Sequence, residues 1–241
     1  MKIAFLIPCT TNKKNYTDVQ QTEILNICYP SLVKTLNKEH EYTIYLGFDD
    51  DDKIFSVDEN KSFIKNKIEQ NENLNITCKI MDFSNIKGHV TRVWNGLFKS
   101  AYCDNNDYFV QCGDDIQYTT QNWLNDSIKI LYEHDDIGLT GPFCNANRNF
   151  TFLTQSVVSR KHMDIFGYYF PEEIKNWWCD DWLCGVYSPE YFYKLLNHRC
   201  CHKTQLERYD IVDSKSIYKL LISKGKVTLQ NYITDTEPEK K

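Results

Sequence analysis

The chain has 241 residues, enough for one large domain or two small ones, and 41% apolar with 25% charged residues is ordinary for a soluble globular protein. A net charge of −5 argues against a fold built to bind nucleic acid, which presents a basic face. No apolar run approaches the roughly 18 residues needed to cross a bilayer, and ten Cys without a CxxC pair read as reduced thiols rather than a disulfide framework.

The N-terminal "KIAFLIP" (2–8) predicts a buried strand rather than a signal peptide. Residues 17–38 have helical spacing with a break near Pro30. "YTIYLGF" (42–48) predicts a second strand, followed by the acidic run Asp49 to Asp52. A helix over 62–70 leads to a third strand, "NITCKIMDF" (75–83). In "GHVTRVWNGLFKSAY" (88–102), Val90, Val93, Trp94, Leu97 and Ala101 share one helical face. "DYFVQCG" (107–113) is the fourth strand and runs into Asp114-Asp115. A helix over 121–134 and a short strand over 137–143 follow. A helix over 214–225 has Gly225 as its expected stop.

Strands alternating with helices imply a parallel sheet with right-handed crossovers, and ligands of such sheets bind at the carboxyl ends of the strands. The acidic clusters 49–52 and 114–115 both fall at such ends, so one shared cleft is expected. The expected organisation is a single domain over 1–234, with one half over about 1–118, an aromatic half over 119–234, and a flexible tail at 235–241.

Two carboxylate pairs carry the chemistry. Asp114-Asp115 at a strand end suits a hard divalent cation that also holds phosphate oxygens, although Gly-Asp-Asp is equally good turn chemistry. Asp180-Asp181, set between Trp178 and Trp182, occupies partly apolar surroundings that raise a carboxyl pKa and suit a general base. Asp180 could instead cap a helix beginning at "DWLCGVY". "HRCCHK" (198–203) brings two His and two Cys together, but adjacent cysteines and the absence of a second pair at finger spacing argue against structural zinc.

Taken in order, these segments resemble the GT-A glycosyltransferases, which move a sugar from a nucleotide diphosphate. "QCGDDI" is similar to their DXD-type motif, with an adjacent pair in place of a spaced one. "RVWNG" (92–96) resembles the helix segment that precedes that motif, and "WWCDDWL" (177–183) resembles their acceptor-site motif. The resemblance implies an α/β fold of the GT-A type, a UDP-sugar donor, and Mn2+ or Mg2+ held by Asp115 and a late His. His202 is the candidate for that His, with His198 competing.

It further implies Asp181 as the base of an inverting reaction. Pro8, Thr10, Asp49, Asp50, Arg92, Asn95 and Asp114 would lie on the nucleotide sugar, with Arg160 an alternative to Arg92 as a phosphate brace. Trp178, Asp180, Trp182 and His162 would lie on the acceptor, and Trp177 is a further stacking surface. "GHVTRVWN", "FVQCGDD" and "IKNWWCDDWL" also resemble the branch of the base J-associated glucosyltransferases and their viral relatives. The expected acceptor is therefore a glycan, a protein or a modified DNA base. No membrane is expected, a homodimer is an open option, and the location is cytoplasmic, in a host cell if the source is viral. The rival readings are a sugar-phosphate nucleotidyltransferase, disfavoured by the glycine-free "PCTTNKK" after the first strand, and a non-catalytic binding domain descended from a transferase.

Overall fold

The computed structural model describes residues 1–86, 88–145, 150–204 and 210–236. Strand β1 (Lys2–Cys9) is followed by a 3-10 turn and a π-helix (Ile24–Cys28) that lead into α1 (Tyr29–Thr35). Pro30 sits in the first turn of α1, where its missing N–H costs nothing, which explains the expected break. Then come β2 (Glu41–Asp49), α2 (Asp58–Glu69), β3 (Asn75–Phe83), α3 (Val90–Cys103) and β4 (Tyr108–Gln111).

The chain continues through β5 (Ile116–Tyr118), α4 (Trp123–Tyr132), β6 (Phe143–Cys144), β7 (Ser156–Ser159) and α5 (Lys161–Phe166). It ends with α6 (Cys179–Tyr187), β8 (Arg199–His202) and α7 (Lys215–Thr236). The expected strand over 137–143 reduces to single bridges at Leu139 and Thr140 and the two-residue β6.

The main sheet has the order β3-β2-β1-β4-β7. Its first four strands are parallel, and β7 closes the edge antiparallel to β4. Both faces are covered. Along β1, Ile3, Phe5 and Ile7 join one apolar cluster while Ala4 and Leu6 join the other, so the strand is apolar throughout. The chain steps outward from β1 to β2 and β3, then returns to place β4 on the other side of β1. That reversal opens a crevice beyond the carboxyl ends of β1 and β4. A small second sheet, β5-β8-β6, stands beside it and pairs Ile116 with His202.

One expectation is corrected here. Helix α7 runs through Gly225 to Thr236 instead of stopping there. A β-carbon on Gly225 would lie 2.6 Å from the Val186 side chain, so the glycine serves the close approach of α7 to α6. Residues 235 and 236 are helical, and the rest of the expected tail lies outside the described residues. Among the described residues no helix is long and apolar enough to cross a membrane, and all ten cysteines are free thiols.

Candidate active site

A cleft of about 600 Å³ opens at the crevice between β1 and β4. Pro8 from the end of β1 and Gln111 and Gly113 from the end of β4 line it, with Trp94 of α3 and Phe152. Further wall comes from Thr154 and Gln155, from residues 176–181 and from His202 and Thr204.

The two neighbouring carboxylates of the Gly-Asp-Asp turn part company. Asp115 lines the cleft, while Asp114 is 0% exposed and does not. The two acids sit in the turn between β4 and β5, which leaves one of them on the cleft and the other buried. Asp114, expected on the donor, is thus placed outside the cleft lining.

Asp115 is held by the Thr204 hydroxyl, which donates to its Oδ2, and His202 Nδ1 lies 3.9 Å from its Oδ1. His202 owes this position to β8, whose antiparallel pairing with β5 sets it opposite Ile116. His198, the competing residue, instead contacts Asp126 through Nε2 at 2.8 Å, away from the cleft. The two His and two Cys of "HRCCHK" diverge: Cys200 is fully buried and Cys201 reaches Gln117.

Helix α6 delivers the second acid pair. Trp178 precedes it in a left-handed conformation (φ 77°), so the cap is Trp178 and not Asp180, and both acids lie in the first turn facing the cleft. Burial pushes the Asp180 carboxyl up to about 7, helped by the neighbouring Asp181 charge and opposed by His202 and the Cys179 thiol. Asp181 is also raised by burial, against a lowering contact from its own backbone N–H. The helix N-terminus favours the anions, but burial outweighs it at both residues.

Other expected site residues have structural employment. Trp182 is 1% exposed inside the core against Phe166 and Tyr168, and does not line the cleft. His162 is 1% exposed, with its ring nitrogens on the Tyr187 hydroxyl (2.8 Å) and the Tyr169 carbonyl (3.2 Å), and burial lowers it to about 4. Both are too deep to meet an acceptor.

Arg92 is exposed and outside the cleft lining. Arg160 donates to the carbonyls of Tyr102 and Asn106, which commits it to the fold rather than to phosphate. Asn95 accepts the N–H groups of Tyr169 and Phe170 (3.0 and 2.9 Å) and donates to the Phe170 carbonyl (2.8 Å), so it ties α3 to the aromatic half. A β-carbon on Gly96 would lie 2.5 Å from Phe83. In "RVWNG" only Trp94 reaches the cleft, its indole N–H held by the Leu6 carbonyl at 3.2 Å.

The acidic run after β2 does not share the cleft. Thr10, Asp49, Asp51 and Asp52 line a separate depression of about 230 Å³ with Lys13 and Lys14. Asp50 is exposed, and its backbone N–H donates to the Phe83 carbonyl. Asp52, which no sequence signal distinguished, accepts from the Thr10 and Thr11 hydroxyls (3.3 and 2.8 Å) and from the N–H groups of Thr11, Ile54 and Phe55 (2.6, 3.0 and 3.0 Å). It staples the loop after β1 to the loop after β2.

Three further residues had no signal in the sequence. Gln155 accepts the Gly113 N–H at 3.0 Å and so braces the Gly-Asp-Asp turn. Thr204 holds Asp115. Asn176 accepts from the Trp177 and Val212 N–H groups and donates to the carbonyls of Gly88 and Asp210, which fixes the segment leading into α6. Each is a lone amide or hydroxyl outside any periodic pattern.

Comparison with solved structures decides the architecture. TarS 1–349 of S. aureus in complex with UDP-GlcNAc superposes with a TM-score of 0.61 at 15% identity, over 96% of this chain and 67% of that one. The fold is of the GT-A type.

TarS 1–349 in complex with UDP matches this GT-A chain with a TM-score of 0.54 at 16% identity, over 98% and 70%. The mannosyltransferase PcManGT of Pyrobaculum calidifontis, in complex with GDP-Man and Mn2+, matches with a TM-score of 0.58 at 10% identity, over 99% and 76%. At these identities the likeness is one of fold. No family model matches the chain, and no curated protein does.

Among the described residues no three His, Cys, Asp or Glu side chains form a metal-holding cluster. Asp115 and His202 together still fit a hard divalent cation of the kind that takes one or two protein ligands and completes its shell with phosphate oxygens and water.

Proposed function

We propose that this chain is a metal-dependent glycosyltransferase. It moves a hexose from a nucleotide-diphosphate sugar, with a UDP-sugar favoured, to an acceptor hydroxyl with inversion. The observation that carries this reading is a single cleft at the switch point of a GT-A sheet, lined both by Asp115 with His202 and by Asp180 with Asp181. The solved neighbours hold UDP-GlcNAc, UDP, or GDP-Man with Mn2+, which supports a nucleotide-sugar donor here.

Asp115 and His202 are the residues that would hold Mn2+ or Mg2+. A cation held there would supply charge neutralisation for the departing diphosphate. Thr204 fixes Asp115, and Gln155 fixes the turn that carries it, so the site is preorganised before donor arrives.

Asp181 takes the proton from the attacking hydroxyl, and its raised pKa makes it a stronger base than an exposed carboxylate. Attack from the side opposite the leaving group gives inversion. Asp180, pushed up to about 7, shares its proton with solvent near neutrality, which eases the like-charge repulsion on Asp181. Residues around Thr10 and Asp49 lie at the carboxyl ends of β1 and β2, beside the crevice, and are assigned to the nucleoside. The likeness to the base J-associated branch rests on three short segments and adds a hydroxymethylated DNA base to the acceptors to be tried.

The test is release of nucleoside diphosphate from a panel of sugar nucleotides with Mn2+. Release that is lost in EDTA and in Asp181→Asn supports the reading. Pyrophosphate release from sugar phosphate and nucleoside triphosphate would assign a nucleotidyltransferase instead. No turnover with any pair would assign a binding domain.

A further inference from the structure

We propose that the acceptor side of this cleft takes an uncharged glycoside, with the apolar face of its sugar ring laid on Trp177. The proposal rests on the transferase reading and names its acceptor class. Two independent features carry it.

The first is charge. Asp115, Asp180 and Asp181 line the cleft, and among the described residues no Lys or Arg does. Lys215, whose Nζ lies 5.8 Å over the Trp178 ring, belongs to the first turn of α7 and is outside the lining. A donor diphosphate and a divalent cation offset one another, so donor binding leaves the negative charge of Asp181, and of Asp180 where it is ionised, on the acceptor side. An acceptor carrying phosphate would bring like charge into a partly desolvated site, where repulsion is screened least. The arrangement therefore rejects anionic acceptors, nucleic acid and phosphodiester polymers included, by building repulsion against them.

The second is Trp177. Its neighbours are committed: Trp178 donates its indole N–H to Asp213 at 2.9 Å and stacks on Tyr218 at 4.8 Å, and Trp182 is core. Trp177 remains 51% exposed at the cleft and makes no ring contact among the described residues. Its backbone is nonetheless held firmly, the N–H donating at 2.6 Å to Asn176, which is itself pinned to Gly88 and Asp210. A large aromatic that the core does not use, on a fixed backbone beside acids, is a recognition surface. An uncharged sugar satisfies both halves of the site. Its C–H face meets the indole, and its hydroxyls meet the carboxyl groups.

The test titrates phenyl β-D-glucoside and its 6-phosphate against the full-length protein in Mn2+ buffer, with and without UDP. Calorimetry gives affinity, and saturation-transfer NMR shows which protons touch protein. The glucoside is expected to bind with its sugar-ring protons saturated. Trp177→Ala should weaken it about tenfold, as loss of an aromatic contact does, with the melting temperature unchanged because the ring is exposed. Trp177→Phe should restore part of the loss.

The 6-phosphate should bind at least tenfold more weakly, and Asp181→Asn should narrow that gap. Equal or tighter binding of the phosphate, or of a hydroxymethylated oligonucleotide, would overturn the proposal. So would unchanged affinity in Trp177→Ala, or no glucoside binding in either buffer. Failure of UDP to bind while the glucoside arm behaves as stated would count against the transferase reading and leave this one standing.

Discussion

His202 Nδ1 lies 3.9 Å from Asp115 Oδ1, brought there by the register that sets His202 against Ile116 across the β5–β8 pair. The small sheet thus acts as the ruler for the metal-holding pair. Replacing His202 by Ala should weaken Mn2+ binding about tenfold in the presence of nucleotide, the order expected for one ligand of several. Asp115 itself should remain in place because Thr204 still holds it. Calorimetric titration of Mn2+ against both proteins checks this. Unchanged affinity would remove His202 from the site.

Asp180 predicts a pH dependence of stability. Its carboxyl is raised to about 7 in the folded protein from an ordinary value near 3.8. The folded state therefore binds the proton more tightly than the unfolded state, and stability is lost as pH rises from about 4 to about 7. Asp180→Asn escapes that loss. In EDTA, urea unfolding should show the variant gaining about 2 kcal/mol on the wild type between pH 4.5 and pH 8, a figure reduced for partial exposure at the cleft. A constant difference across that range would contradict the raised value.

Asn95 joins the two halves through three hydrogen bonds to Tyr169 and Phe170. Asn95→Ala leaves two N–H donors and one carbonyl without partners and should cost about 2–4 kcal/mol in chemical unfolding. Asn95→Asp keeps the acceptor for both N–H groups and should cost less. If both variants were as stable as wild type, the bridge would have no energetic role.

Asp52 makes a similar case at the other depression. Five donors converge on its carboxylate, so Asp52→Asn replaces one acceptor oxygen by a donor that faces donors. The isosteric change should therefore cost nearly as much as Asp52→Ala, about 3 kcal/mol or more. A well-tolerated Asn would mean that the loop is held by something else.

The sheet was legible because its signals are local. Strands β1, β2 and β3 announce themselves as short apolar runs, and Val93, Leu97 and Ala101 mark the buried face of α3. The acid pairs were legible as chemistry, and Asp115, Asp180, Asp181 and His202 do meet in one cleft.

Burial depth was not legible. Periodicity reports which face of an element is apolar, and nothing in it separates Trp177 at the surface from Trp182 in the core. Long-range polar contacts were also out of reach. Asn95, Arg160 and His162 carry the residue types of a binding site and spend them on backbone and tyrosine partners far along the chain. Gly225 reads as a helix stop by composition, and it became a packing contact because α6 passes so close.

The most direct measurement is thermal stabilisation by a panel of nucleoside diphosphates and their sugars, in Mn2+ and in EDTA, on the wild type and on Asp115→Asn. A ligand that binds only the folded protein raises its melting temperature by mass action. The account predicts a shift with UDP or a UDP-sugar in Mn2+ that disappears both in EDTA and in the variant. A shift of equal size in EDTA or in Asp115→Asn, or none with any nucleotide, would contradict a metal-dependent donor site at Asp115.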